Sequence, residues 1–322
     1  MDLKIVSGWI LIVLYALTIL TLVVRGARRN RSVADYAVGN IAFSPLAVGL
    51  ALAASTTSAA TFIINPGFVA YFGLPAVFGL CFVLPVAMFA SLVILTKGFR
   101  KYGDSVRAMT LSQWVGTRFG SRGMAVYFAI LALLLITFIV LILVGLTKVI
   151  AASLGLNETY VLAALTLFSF GYMMFGGANS MVYTNTLQAI IMLVVAVILI
   201  GSGYEYFSGG LSGMVEKLRA VDPNLVGIYN PASPLFRDWF EVIFCTIVVG
   251  VAIVCQPHII TKSLLLKNDR DVNRYLTSGI IVQMIFFAVV VVGLYARLSF
   301  PDLQLDGNPI PPDSVVATYL VT

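Results

Sequence analysis

A chain of 322 residues with 60% apolar residues, 11% charged residues and a mean hydropathy of +1.00 is too apolar for a soluble core under a solvated surface. One histidine, and three cysteines with neither paired nor metal-ligand spacing, argue against a disulfide framework, a zinc centre and histidine-based hydrolysis. The net charge of +6 falls in short blocks between apolar runs, with no basic face interleaved with aromatics, so it reads as lipid topology and not as nucleic-acid binding.

In chain order, Ile5 to Val24 has the length a bilayer core requires and ends at Arg25, Arg28, Arg29 and Arg31, as a retained span does and a cleaved signal does not. Spans two and three are expected over 41–69 and 74–96, followed by a basic amphipathic loop, Lys97 to Arg122, and a fourth span over 123–145. The uncharged run from Tyr160 to Gly203 is too long for one span. Gly176, Gly177, Ala178, Asn179 and Ser180 interrupt it, which predicts two helices, 160–175 and 181–203, joined by a glycine turn. A polar stretch follows, with a short surface helix over 211–220. Spans seven and eight are expected over 239–261 and 276–295, leaving a proline-bearing tail, 297–322, with no further span. The cysteines Cys81, Cys245 and Cys255 lie in apolar runs as small hydrophobes.

Orientation follows from the basic blocks. With the N-terminus outside, the inner segments Arg25 to Asp35, Lys97 to Arg122 and Lys262 to Arg274 hold fourteen of the 20 Lys and Arg residues but only four of the 14 Asp and Glu residues. Eight spans then place the C-terminus outside as well.

Three polar clusters interrupt the apolar runs. The first is Ser55, Thr56, Thr57 and Ser58, followed by Asn65, Pro66 and Gly67, within the second span. An unpaired backbone group in hydrocarbon costs several kcal/mol, so such a run survives only where protein or water surrounds it. It is either a close-packed interface, with hydroxyls bonded back to their own helix, or a broken helix whose carbonyls bind a cation. The second cluster surrounds Thr184, Asn185 and Gln188 at the start of the sixth span. Asn185 and Gln188 are three residues apart and share a helical face, and an interhelical hydrogen bond is the simplest use for them. The third is Gln256, Pro257 and His258, which ends span seven; Pro257 kinks that span, and Gly250, about two turns earlier, is a second weak point. The lone His258 is expected to be satisfied by water or backbone. Lys148, near a span end, is expected to snorkel. No acidic or basic residue stands near a span centre, which favours a cation bound by neutral oxygens over a carboxylate proton relay.

Together, SAATFIINPGFVAYFG (Ser58 to Gly73), TLSQWVGTRFG (Thr110 to Gly120), GGANSMVYTNTLQ (Gly176 to Gln188) and QPHIITK (Gln256 to Lys262) resemble the sodium:solute symporter family, in order and in separation. The resemblance covers essentially the whole chain. It implies an all-α integral membrane protein, a multi-span helical bundle of LeuT-like inverted-repeat architecture with an incomplete second repeat. It implies backbone carbonyls of Ala54 and Thr57 on sodium, Ser55, Thr56, Ser58 and Gly250 along the substrate and ion pathway, and Thr184, Asn185 and Gln188 in coupling and the inner gate. The family often carries aspartate where Asn185 stands, and some members carry another where Thr56 stands, so a second sodium site is not expected. The family's sodium site is completed on a ninth span, before which this sequence stops, so these 322 residues by themselves are expected not to carry out coupled transport.

The implied function is sodium-driven symport of a small organic solute, an amino acid or carboxylate in preference to a sugar, by alternating access in the plasma membrane. Sodium ion, solute and lipid bilayer are the expected partners, with no nucleic acid and no cofactor beyond the coupling Na⁺. A symporter-like sensory domain, or a non-transporting fragment, is the alternative. An enzyme is not expected, because no nucleophile, metal or acid–base constellation is present.

Overall fold

The computed structural model describes residues 3–39, 42–58, 60–106, 110–266 and 268–321. Ile41 at the expected start of span two, Ala59 within the first motif, Arg107 and Lys267 of the basic blocks, and Thr322 lie outside the described residues.

Helices dominate. Among the described residues five are long and apolar enough to cross a membrane: α1 (Ile5–Ala27), α5 (Leu74–Lys101), α7 (Arg122–Ala151), α8 (Glu158–Gly201) and α12 (Asp269–Ser299). Two interrupted pairs qualify only when each is taken together, α3 (Pro45–Thr56) with α4 (Ala60–Phe72) and α10 (Phe240–Val254) with α11 (Pro257–Ser263). The remaining helices are short: α2 (Val33–Val38), α6 (Leu111–Arg118), α9 (Gly210–Val221) and α13 (Val315–Val321). A two-stranded antiparallel hairpin, Gln304–Leu305 with Asn308–Pro309, precedes α13. On α1 and α7 large apolar side chains such as Leu11, Leu14, Ile139 and Leu141 are exposed, as on helices surrounded by lipid.

The 44 residues of α8 are not one straight element. Gly177 stands at φ 65 and ψ −171, a region essentially closed to residues with a Cβ, inside the glycine turn the sequence predicts. The chain is locally crowded there as well: a Cβ on Gly177 would lie 2.8 Å from the Tyr36 ring and 2.9 Å from the Asn30 amide. Among the described residues three wide π-helical turns lie within the spans, Ala60–Ile64 at the start of α4, Phe78–Val83 in α5 and Phe240–Cys245 in α10.

The chain divides into two compact units. The first comprises Met1–Ser55, Thr96–Ala189 and Gln256–Gly279. Within it the glycine turn of α8 is tied to the segment after α1. Asn30 donates to the Gly176 carbonyl at 3.1 Å and accepts from the Asn179 amide at 2.9 Å, Tyr36 donates to the Met173 carbonyl at 3.0 Å, and Ser180 donates to Val23 at 3.0 Å. Side-chain caps start the short helices of this unit: Ser32 accepts from the Asp35 amide before α2, and Thr110 from the Gln113 amide before α6. Ser121 does the same at the start of α7.

The second unit comprises Thr56–Leu95, Ile190–Cys255 and Ile280–Thr322. Its core forms where α4 meets the end of α12 and the hairpin segment: Ala70, Ala296, Leu303, Ile310 and Val315 are buried together, with Tyr71, Phe300 and Tyr319 packed against them. The Tyr71 hydroxyl donates to the Ile310 carbonyl at 2.6 Å, which fixes the returning chain to α4. The α4 backbone approaches α12 so closely that the Pro66 carbonyl touches Gly293, and Gly67 meets the Pro312 carbonyl in the same way.

Candidate functional site

The helix α3 stops at Thr56, and Thr57 and Ser58 are non-helical. Four successive hydroxyl residues offer local hydrogen bonds that compete with helix continuation. The Ser55 hydroxyl donates to the Ala51 carbonyl at 2.6 Å, while Ser58 accepts on its hydroxyl from the Ala60 amide at 3.2 Å and on its carbonyl from the Thr61 amide at 3.0 Å. The wide turn Ala60–Ile64 follows, and Pro66, which lacks an amide hydrogen, stands in the first helical turn after it. A helix that ends leaves its last carbonyls to be met by donors from outside its own ladder.

In the first unit those donors converge on Ser55. The Asn185 amide of α8 donates to the Ser55 hydroxyl at 3.0 Å. The imidazole of His258, in the first turn of α11, donates to the Ser55 backbone carbonyl. Three elements distant in sequence thus meet at one residue of a helix end. A second bond secures α8 to α3, with the Thr186 hydroxyl 3.0 Å from the Ala47 carbonyl. The arrangement is neutral: it holds a row of oxygens in place without a carboxylate, and no group of three His, Cys, Asp or Glu residues that could hold a metal ion occurs among the described residues.

The other expected site residues are distributed as follows. Ala54 is buried in the last turn of α3 in the first unit, and Thr57 is buried at the start of the second unit. Thr56, the last residue of α3, is half-buried, as is Ser58. Thr184 is buried and its hydroxyl lies 3.3 Å from the Met181 carbonyl of its own helix, the self-satisfied arrangement. Asn185 and Gln188 both make interhelical bonds, but to different helices: Gln188 donates to the Tyr15 hydroxyl of α1 at 2.7 Å. Gly250 lies inside α10, five residues before the helix stops at Cys255, where a Cβ would fall 2.8 Å from the Leu84 carbonyl and 2.9 Å from Ala87 Cβ of α5. The interruption expected around Gly250 and Pro257 is at Cys255 and Gln256, and close packing accounts for Gly250.

Sequence reasoning gave His258 water or backbone as a partner, and backbone is what it meets. The missed element is which backbone. The signal available was Pro257 itself, which restarts the helix and sets the residue after it in the first turn of α11.

Comparison with known proteins places this geometry in context. The family model described as "Sodium:solute symporter family" matches residues 36–310. The sodium/pantothenate symporter of Escherichia coli (strain K12) is 30% identical over 287 residues, covering 86% of this chain and 58% of the relative. The sodium/pantothenate symporter of Haemophilus influenzae is 28% identical over 283 residues, covering 86% of this chain and 57% of the relative. The chain therefore spans somewhat over half the length of these relatives. Among solved structures, one described as the substrate-bound outward-open state of a Na⁺-coupled sialic acid symporter matches with a TM-score of 0.77 at 16% identity, over 98% of this chain and 66% of that one. At that identity the likeness is one of fold.

Proposed function

The chain belongs to the sodium:solute symporter family, and from that premise we propose that the protein carries out Na⁺-driven symport of a small organic solute by alternating access. The observation that carries the reading is the interruption at Thr57 and Ser58 inside a stretch apolar enough to span a bilayer. A helix end at membrane depth presents carbonyls to a cation, and a restarting helix presents amides to an anionic group. Backbone carbonyls of Ala54 and Thr57 bind Na⁺, and Ser55, held by Asn185 and His258, keeps the end of α3 in the conformation that offers them. Na⁺ does work on the solute through its differential affinity for the outward-facing state.

A carboxylate solute fits the reading better than a sugar, since relatives named for pantothenate, a carboxylate, match over 86% of the chain. The basic blocks favour an orientation with both ends outside if α8 crosses twice, on either side of Gly177, for eight crossings in all; the plasma membrane is the location the family resemblance implies. Vesicles in which the protein is produced together with a segment supplying the ninth-span side of the sodium site test the reading. An inward Na⁺ gradient should then raise uptake of at least one labelled carboxylate about tenfold over a choline gradient, which these 322 residues alone should not do; equal uptake of every solute under both gradients sinks it.

A further inference from the structure

We propose that the cavity between the end of α5 and the start of α12 binds a phosphate group, presented by the headgroup of an anionic phospholipid. The cavity has a volume of about 390 Å³ and is lined by Lys97, Arg100, Lys101, Asp269, Val272 and Asn273, all within the first unit. That volume lies in the range of small-ligand sites and is ample for a phosphate with its glycerol. Three cations face one carboxylate, so the lining carries an excess of positive charge.

The charges are not equivalent. Arg100 is fixed and mostly buried: its Nε donates to Asp269 at 2.9 Å, and its Nη1 donates to the carbonyls of Ser263 at 3.1 Å and Leu266 at 2.5 Å. It therefore forms a rigid cationic floor and consumes the one acidic group of the lining. Lys97 and Lys101 are exposed and one helical turn apart on α5, so both ammonium groups reach the same side of the cavity. Val272, buried in the wall, offers apolar surface for a glycerol backbone, and the exposed Asn273 amide offers both donor and acceptor.

Position selects the source of the phosphate. Lys97 and Lys101 close an apolar span, Leu74–Lys101, and so stand at headgroup depth, where a basic pocket between transmembrane helices meets lipid phosphates at high local concentration. The proposal does not depend on transport, and it concerns a part of the molecule separate from the Ser55 cluster.

The test is native mass spectrometry of the full chain in detergent, titrated with phosphatidylglycerol or phosphatidylcholine. The wild-type protein should bind phosphatidylglycerol about thirtyfold more tightly than the K97Q/K101Q variant, from the loss of two headgroup-depth lysines, while Lys217→Gln on α9 should bind as the wild type does. Glutamine is a good helix former, so the exposed α5 turn is retained, which an unchanged thermal midpoint in phosphatidylcholine verifies. Millimolar inorganic phosphate distinguishes the sources: failure to displace phosphatidylglycerol supports a lipid site, whereas displacement together with phosphate binding to lipid-free protein overturns the lipid assignment. Equal affinity of wild type and K97Q/K101Q for phosphatidylglycerol, or equal affinity of the wild type for the two lipids, overturns the site itself.

Discussion

Replacing Gly293 with valine is expected to destabilise the protein by about 3 kcal/mol or more, the upper end for overpacking a helix interface. The Pro66 carbonyl of α4 already touches Gly293, and a Cβ there would also lie 2.8 Å from Val69 Cβ and 2.9 Å from the Ala70 amide. Two of these obstacles are backbone atoms, so no rotamer change relieves the overlap; α4 and α12 must move apart. Separation would open the buried cluster of Ala70, Ala296, Leu303, Ile310 and Val315. Gly293→Ala should lie between wild type and valine. Thermal unfolding in detergent checks the order, and a valine variant whose midpoint falls by less than about 2 °C would show that the contact is not limiting.

The second large effect is expected at Ser55. Asn185→Ala leaves the Ser55 hydroxyl without its interhelical donor, and His258→Ala removes the imidazole that meets the Ser55 carbonyl. Each loss costs about 1–3 kcal/mol where the stranded group is shielded from water. The two bonds share one residue, so their effects should not be additive: once one is gone, the end of α3 frays and the other contributes less. The double variant is therefore expected to lose less than the two single losses together. Hydrogen exchange should rise at residues 52–56 in each single variant. Unchanged exchange there in the double variant would mean that α3 ends firmly without either donor. Asn185→Asp keeps the size of the side chain but removes the amide N–H that donates to Ser55, whose own proton is already given to Ala51, so it should raise exchange at 52–56 as Asn185→Ala does.

Much of this was legible in the sequence because it rests on local chemistry. Four consecutive hydroxyl residues followed by Asn65-Pro66-Gly67 mark the break after α3, since each favours a local bond or removes a helix donor. Gly176 and Gly177 mark the interruption of α8, since only glycine accepts φ 65 with ψ −171. Spacing put Asn185 and Gln188 on one helical face, and here pattern reached its limit. Residues three apart on one helix do share a face, but what each touches is set by helices far away in sequence. Asn185 finds α3 and Gln188 finds Tyr15 on α1, and no spacing within the motif separates these outcomes. Gly250 shows the same limit. A glycine near a proline suggests a weak helix, whereas its use here is the close approach of α5, which only packing defines. Arg100 was counted as one of the inner basic residues, and the structure gives it a specific task, bracing the chain at Ser263, Leu266 and Asp269.

The wide turns at Ala60–Ile64, Phe78–Val83 and Phe240–Cys245 each hold one residue more than an α-helical turn. Elsewhere in a helix, deleting a residue rotates everything beyond it by about 100° and draws it back about 1.5 Å, turning lipid-facing side chains inward. At a wide turn the same deletion can be absorbed by relaxation to ordinary α geometry, leaving the phase of the following helix intact. These three places are therefore where chains of this architecture can differ in length within a span and still present the same faces to their neighbours.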